Sequence, residues 1–162
     1  MCLVCDRIKM IKRKENPFFV MELETGFVVI GDYQRFRGYT LFLCKKHVSE
    51  LHQLPRDFKV KYLEEMSIVA EACQNAFGAK KMNIELLGNK DTHVHFHIFP
   101  RKDGDTPIPG PVWWVKKDEM YSNEFKPNSE ELNNLKSLLR VELIKLLKKY
   151  NLHEEKTESV SL

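Results

Sequence analysis

The sequence predicts an α+β domain: an antiparallel sheet with one long helix packed on it and a second helix near the C-terminal end. Three observations carry that expectation. Short β-rich runs separated by turn residues occupy residues 17–44 and again 82–99. A broad apolar arc at helical spacing runs from about Arg56 to Phe77, and a leucine stripe follows at Leu132, Leu135, Leu139, Leu143 and Leu146. Strands, helix, strands, helix is an order suited to antiparallel pairing rather than to repeated βαβ units.

Pro17 to Leu23 is rich in β-branched and aromatic residues, and Glu24-Thr25-Gly26 supplies a turn. Phe27 to Ile30 then reads as the partner strand of a hairpin. After a polar loop from Gly31 to Gly38, Tyr39 to Cys44 is a third strand. From Arg56 the period changes. Tyr62, Met66, Val69, Cys73 and Ala76, flanked by Leu63, Ile68, Ala70 and Phe77, mark a helical apolar face that Gly78 closes. That arc is wider than one sheet face needs, and the remainder fits a second partner.

Met82 to Leu87 returns to strand character, and Gly88 to Thr92 turns into the next strand. Beyond Pro100 the chain is loop-like, interrupted by Val112-Trp113-Trp114-Val115. Asn128 with Glu131 three residues later forms a capping-box pattern before the last helix. One domain over residues 1–150 is expected, with 151–162 as a flexible tail.

Of 162 residues, 43% are hydrophobic and 30% charged, with a net charge of +3, as in ordinary globular proteins. Lys9, Lys12, Arg13 and Lys14 are the densest basic cluster. Without interleaved aromatics they read as a solvated face, so no nucleic-acid partner is expected. No run approaches a membrane span, and residues 1–15 lack a signal-peptide core. Cys2, Cys5, Cys44 and Cys73 are therefore expected to be reduced thiols in a cytoplasmic setting.

The most informative stretch is His93-Val94-His95-Phe96-His97-Ile98-Phe99. In a strand successive side chains alternate, so the three imidazoles share one face while Val94, Phe96 and Ile98 face a core. Histidine has its unperturbed pKa nearest neutrality, which suits a nucleophilic, acid–base or metal-binding face.

The segment His93 to Arg101, HVHFHIFPR, resembles the signature of the histidine triad (HIT) family. Cys2-Leu3-Val4-Cys5 resembles the Cys-x-x-Cys opening of many bacterial members, and residues 37–48, RGYTLFLCKKHV, resemble the family's strand ending in Lys-x-His-Val. HIT proteins are nucleotide hydrolases and transferases, commonly dimeric. The resemblance therefore implies a homodimeric hydrolase of dinucleoside polyphosphates such as diadenosine tetraphosphate. A phosphoramidase, or a nucleotide-binding, zinc-stabilised interaction protein with little turnover, is the alternative.

By the same resemblance His95 is the nucleophile toward the α-phosphorus. His97 is a hydrogen-bond donor to phosphate oxygens, where transition-state charge builds. Cys2, Cys5, His47 and His93 are a structural Zn²⁺ set, four N/S ligands suiting a closed tetrahedral site; two unligated cysteines with a lone His47 is the competing reading. Asp32 corresponds to an acidic position that can hold ribose hydroxyls, or is a solvated loop residue. Asn89 and Thr92 are phosphate contacts or turn residues. Trp113 and Trp114 contact a base or a dimer partner, or plug the core. The chain departs from the family pattern in three places. Tyr39 replaces a common histidine, Cys44 a common proline, and Gly88-Asn89-Lys90-Asp91-Thr92 the usual Gly-Gln segment that holds phosphates.

Overall fold

The computed structural model describes residues 1–154. Five strands, β1 (Phe19–Glu22), β2 (Gly26–Ile30), β3 (Thr40–Cys44), β4 (Lys81–Glu85) and β5 (His95–Arg101), form one antiparallel sheet in the order β1-β2-β3-β5-β4. The helices are α1 (Leu3–Lys12), α2 (Arg56–Phe77), a short α3 (Lys117–Met120) and α4 (Ser129–Lys149).

The main core lies on one sheet face. Val28, Ile30, Phe42, Phe96 and Ile98 meet Tyr62, Val69 and Cys73 of α2, and Leu135, Leu139 and Leu143 of α4 complete the layer. α2 ends at Gly78, whose φ of 62° is the left-handed conformation a helix terminus of this kind requires. The capping box at Asn128 and Glu131 is present at the start of α4. α4 lies along α2 and covers much of the apolar arc that the sheet leaves free. Leu63 and Met66 nevertheless stay half-buried, so part of the arc remains open to a second partner.

Glu65 of α2 is buried at 3% exposure and accepts from the backbone amides of Glu24 and Thr25 at 3.0 and 2.9 Å, and from the Thr25 hydroxyl. It ties the β1–β2 turn to the helix. Burial pushes its carboxyl pKa up, opposed by these donors.

Three differences from the sequence reading stand out. The sequence pattern predicts no element over residues 3–12, yet α1 forms there and buries Val4, Ile8 and Ile11 against Phe27, Val29 and Leu43 on the second sheet face. The spacing of four and three residues was present, but flanking lysines obscured it. The histidine strand begins at His95 rather than His93, and β4 ends at Glu85 rather than Leu87. Of the expected tail, residues 155–162 lie outside the described residues. Residues 151–154 fold back: Leu152 packs on the core, its amide bonded to Leu147 at 2.8 Å, and Glu154 pairs with Arg140. Among the described residues no helix is long and apolar enough to cross a membrane.

Candidate active site

His95 and His97 stand on β5 at the middle of the sheet, beside Leu43 and Leu41 of β3, which are their register partners. Alternation puts them on the face opposite the main core, as the sequence implied. Above them opens a cleft of about 670 Å³, within the size range of small-molecule sites. α1 contributes Leu3, Val4 and Arg7 to its walls, the loop after β2 contributes Asp32 and Tyr33, residues 87–91 form a third side, and Lys117 and Tyr121 overhang it.

The hydrogen bond of His95 fixes its tautomer. Its Nδ1 lies 2.6 Å from the His93 carbonyl oxygen, which can only accept. In the neutral ring Nδ1 therefore carries the proton and Nε2 the lone pair. His97 packs edge-on against His95, ring centroids 4.7 Å apart, with Nδ1 at 2.7 Å from the Tyr39 hydroxyl. Burial, and secondarily the neighbouring His95, pulls the His97 pKa down to about 4, so this ring is neutral at pH 7.

His93 is buried, outside the cleft lining, with its Nδ1 directed at Cys2 and Cys5. Its Nε2–H donates to the Cys44 carbonyl at 2.8 Å, leaving Nδ1 free as a ligand. Cys44 also donates its own amide to Val94 at 3.3 Å, a bond a proline there could not make. His93 Nδ1 lies 3.5 and 3.4 Å from the Cys2 and Cys5 sulfurs, and His47 Nδ1 is 3.1 Å from Cys5. All four donor atoms fall within 4.8 Å of one another. Metal–sulfur and metal–nitrogen bonds of about 2.3 and 2.0 Å at tetrahedral angles separate S and N by roughly 3.5 Å, so the donor set fits a metal ion. Burial pushes the Cys2 thiol up to about 11, opposed by the Cys5 amide, and lowers the pKa of His93. A bound cation would reverse the first effect, and the second already keeps the ring in its ligating form.

Asp91 joins this cluster to the cleft. Its carboxylate accepts from the amides of Val4 and His93 at 3.0 and 3.3 Å, thereby capping α1. Burial opposes its ionisation, but these donors hold its pKa below the usual range.

The other expected site residues divide. Asp32 lines the cleft, but its carboxylate is already engaged by both terminal nitrogens of Arg7, one at 2.8 Å. Asn89 lines the cleft, whereas Thr92 is exposed and outside it. Trp113 and Trp114 are 71% and 57% exposed and pack on each other, so neither plugs the core; Val112 does that. Sequence reasoning missed Arg7, Lys90, Asp91 and Lys117. Arg7 was indistinguishable from the basic cluster beside it, and Lys117 reaches the cleft only through the path of the loop after β5. Among the described residues neither Lys90 nor Lys117 has an ion-pair partner.

A family model described as the HIT domain matches residues 13–104. An uncharacterised HIT-like protein of Methanocaldococcus jannaschii is 28% identical over 109 residues, covering 65% of this chain and 82% of its own. The adenosine 5′-monophosphoramidase of Saccharomyces cerevisiae is 24% identical over 135 residues, covering 83% and 82%. Among solved structures, a histidine triad protein from Marinobacter aquaeolei superposes with a TM-score of 0.68 at 25% identity, covering 79% of this chain and 89% of its own. A zinc-bound histidine triad family protein from Mycobacterium smegmatis has the same fold, with a TM-score of 0.64 at 20% identity and coverage of 91% and 96%.

Proposed function

The chain belongs to the histidine triad family, and from that premise we propose that residues 1–150 form a nucleotide hydrolase cleaving dinucleoside polyphosphates through a nucleotidyl-histidine intermediate. The observation that carries this reading is the His95 hydrogen bond to the His93 carbonyl, which makes Nε2 the lone-pair nitrogen of the neutral ring in a cleft of nucleotide size. In the first step the Nε2 lone pair attacks the α-phosphorus, a P–N bond forms, and the bond to the bridging oxygen breaks as the remaining nucleotide leaves. Water then attacks the same phosphorus and returns the electron pair to Nε2. His97, neutral and beside His95, donates to the phosphate oxygens as charge develops there.

Lys90 and Lys117 favour a polyphosphate leaving group over an uncharged amine, and they supply cations where the family's Gly-Gln segment is missing. Asn89 adds an uncharged donor on the same side. Asp32, oriented by Arg7, keeps one lone-pair direction per oxygen for ribose hydroxyls. The similarity to a yeast adenosine monophosphoramidase favours the second reading, the same His95 step with an amine leaving.

Cys2, Cys5, His47 and His93 would hold Zn²⁺, which when bound supplies folding energy rather than chemistry. A homodimer fits β4, a free sheet edge with Ile84 41% exposed; light scattering at about 19 rather than twice 19 kDa would reject it. Free cysteines suit a cytoplasmic setting.

The test is a nucleotide panel with products resolved by chromatography. Unequal mononucleotides from a tetraphosphate support the first reading, amine release the second, and binding without turnover rejects both. Rapid quench with α-phosphate label should leave acid-labile label on the wild type. His95→Ala should lose on the order of 10⁴-fold or more in turnover; retention of a tenth of wild-type activity would remove His95 as nucleophile.

A further inference from the structure

We propose that Tyr39 is a positioning residue that sets the tautomer of His97, holding its proton on Nε2 so that the neutral ring donates into the cleft. The proposal builds on the reading of His97 as the ring that faces phosphate, but its central test does not require turnover.

Tyr39 enters the site from just before β3. Its ring stacks on Phe99 with centroids 4.3 Å apart and planes at 8°, and lies nearly parallel to His97 at 12°. Gly31 permits this placement, since a Cβ there would lie 2.2 Å from the Tyr39 ring. The hydroxyl is thus delivered to His97 Nδ1 at 2.7 Å by packing on both sides, and that is the one hydrogen bond its oxygen makes among the described residues.

Donor and acceptor follow from acidity. A phenol O–H is a far stronger acid than the N–H of a neutral imidazole, and an unprotonated imidazole nitrogen is a far better acceptor than a phenol oxygen. The stable arrangement is therefore O–H···Nδ1, which leaves Nε2 as the protonated nitrogen. Arg7, Asp32, Glu85 and Tyr121 surround the phenol, and burial raises its pKa far beyond the ordinary value. It accordingly keeps its proton at any pH where the protein works.

The consequence lies in the pairing with His95. The His93 carbonyl draws the His95 proton to Nδ1 and exposes a lone pair at Nε2, while the Tyr39 hydroxyl occupies Nδ1 of His97 and exposes N–H at Nε2. Two adjacent rings of one sequence repeat thus present opposite chemistry: one can attack, the other can donate. A histidine at position 39 could take up a proton of its own and offer either a donor or an acceptor; tyrosine removes that ambiguity.

The test is long-range ¹H–¹⁵N correlation NMR on zinc-loaded protein, with His97 assigned by loss of its signals in His97→Gln. Wild type should show a pyrrole-type Nε2 and a pyridine-type Nδ1 at neutral pH; the reverse pattern overturns the proposal outright, with no variant needed. Tyr39→Phe keeps the ring and its stacking. Because the hydroxyl stabilises the unprotonated Nδ1, its removal should raise the His97 pKa by about one unit. A fall, or no change, would mean that Tyr39 accepts or is a spacer, and would overturn the assignment. On the substrate found in the panel, Tyr39→Phe should lose about tenfold in kcat with KM nearly unchanged. A loss confined to KM would place Tyr39 in binding instead.

Discussion

If Cys2, Cys5, His47 and His93 hold Zn²⁺ as proposed, stripping it should detach α1 while leaving the sheet intact. α1 has ten residues, too short to be stable alone. Its buried Val4, Ile8 and Ile11 contribute on the order of 6 kcal/mol by area removed from water. The Asp91 cap and the Arg7–Asp32 pair, both partly exposed, add about 2–3 kcal/mol together. Ordering ten backbone residues costs roughly 10 kcal/mol or more. The two sides nearly cancel, so a metal held by Cys2, Cys5, His47 and His93 would decide whether the helix stays docked. Cys5→Ser, or chelation of the wild type, is the perturbation. Hydrogen exchange should then show α1 amides losing about a hundredfold or more of their protection while β5 amides keep theirs. Since α1 supplies Leu3, Val4 and Arg7 to the cleft but neither histidine, KM for nucleotide should rise about tenfold or more, with kcat within a few-fold. Chelated protein with α1 protection at the wild-type level, or equal loss at β5, would refute the reasoning.

Other consequences are as direct. Glu65→Ala strands the Thr25 amide and hydroxyl beneath α2, and should cost about 3 kcal/mol in urea unfolding; a cost below about 1 kcal/mol would mean that water replaces the carboxylate. His97 titrates near 4 in the folded protein and near 6.5 unfolded, so the unfolded chain binds the extra proton between those values. Stability should therefore rise with pH across that window, by up to about 3 kcal/mol, and His97→Gln should flatten the slope. Arg7→Leu frees the Asp32 carboxylate to swing, and should raise KM for nucleotide by about tenfold without altering zinc content; unchanged KM would remove the pair from nucleotide binding.

The sequence by itself determined what is local and periodic. Alternation at Val94, Phe96 and Ile98 put the three histidines on the face opposite the core, which the strand keeps for His95 and His97; Gly78 ended α2, and Asn128 with Glu131 started α4, because each depends on neighbours within a few residues. The Cys2, Cys5, His47 and His93 set was nameable from family resemblance, but only the fold brings positions separated by up to 91 residues within bonding distance of one ion. The helix at residues 3–12 stayed hidden because its apolar stripe is just three residues wide and lies among lysines; packing on Phe27, Val29 and Leu43 is what makes it a helix. Arg7, Lys90 and Lys117 carry no motif and acquire meaning from the cleft they share. The breadth of the α2 arc pointed to a second partner; the fold gives much of that surface to α4 and leaves Leu63 and Met66 half-buried. Period tells how much apolar area a helix must bury, and only the chain's path through space decides what buries it.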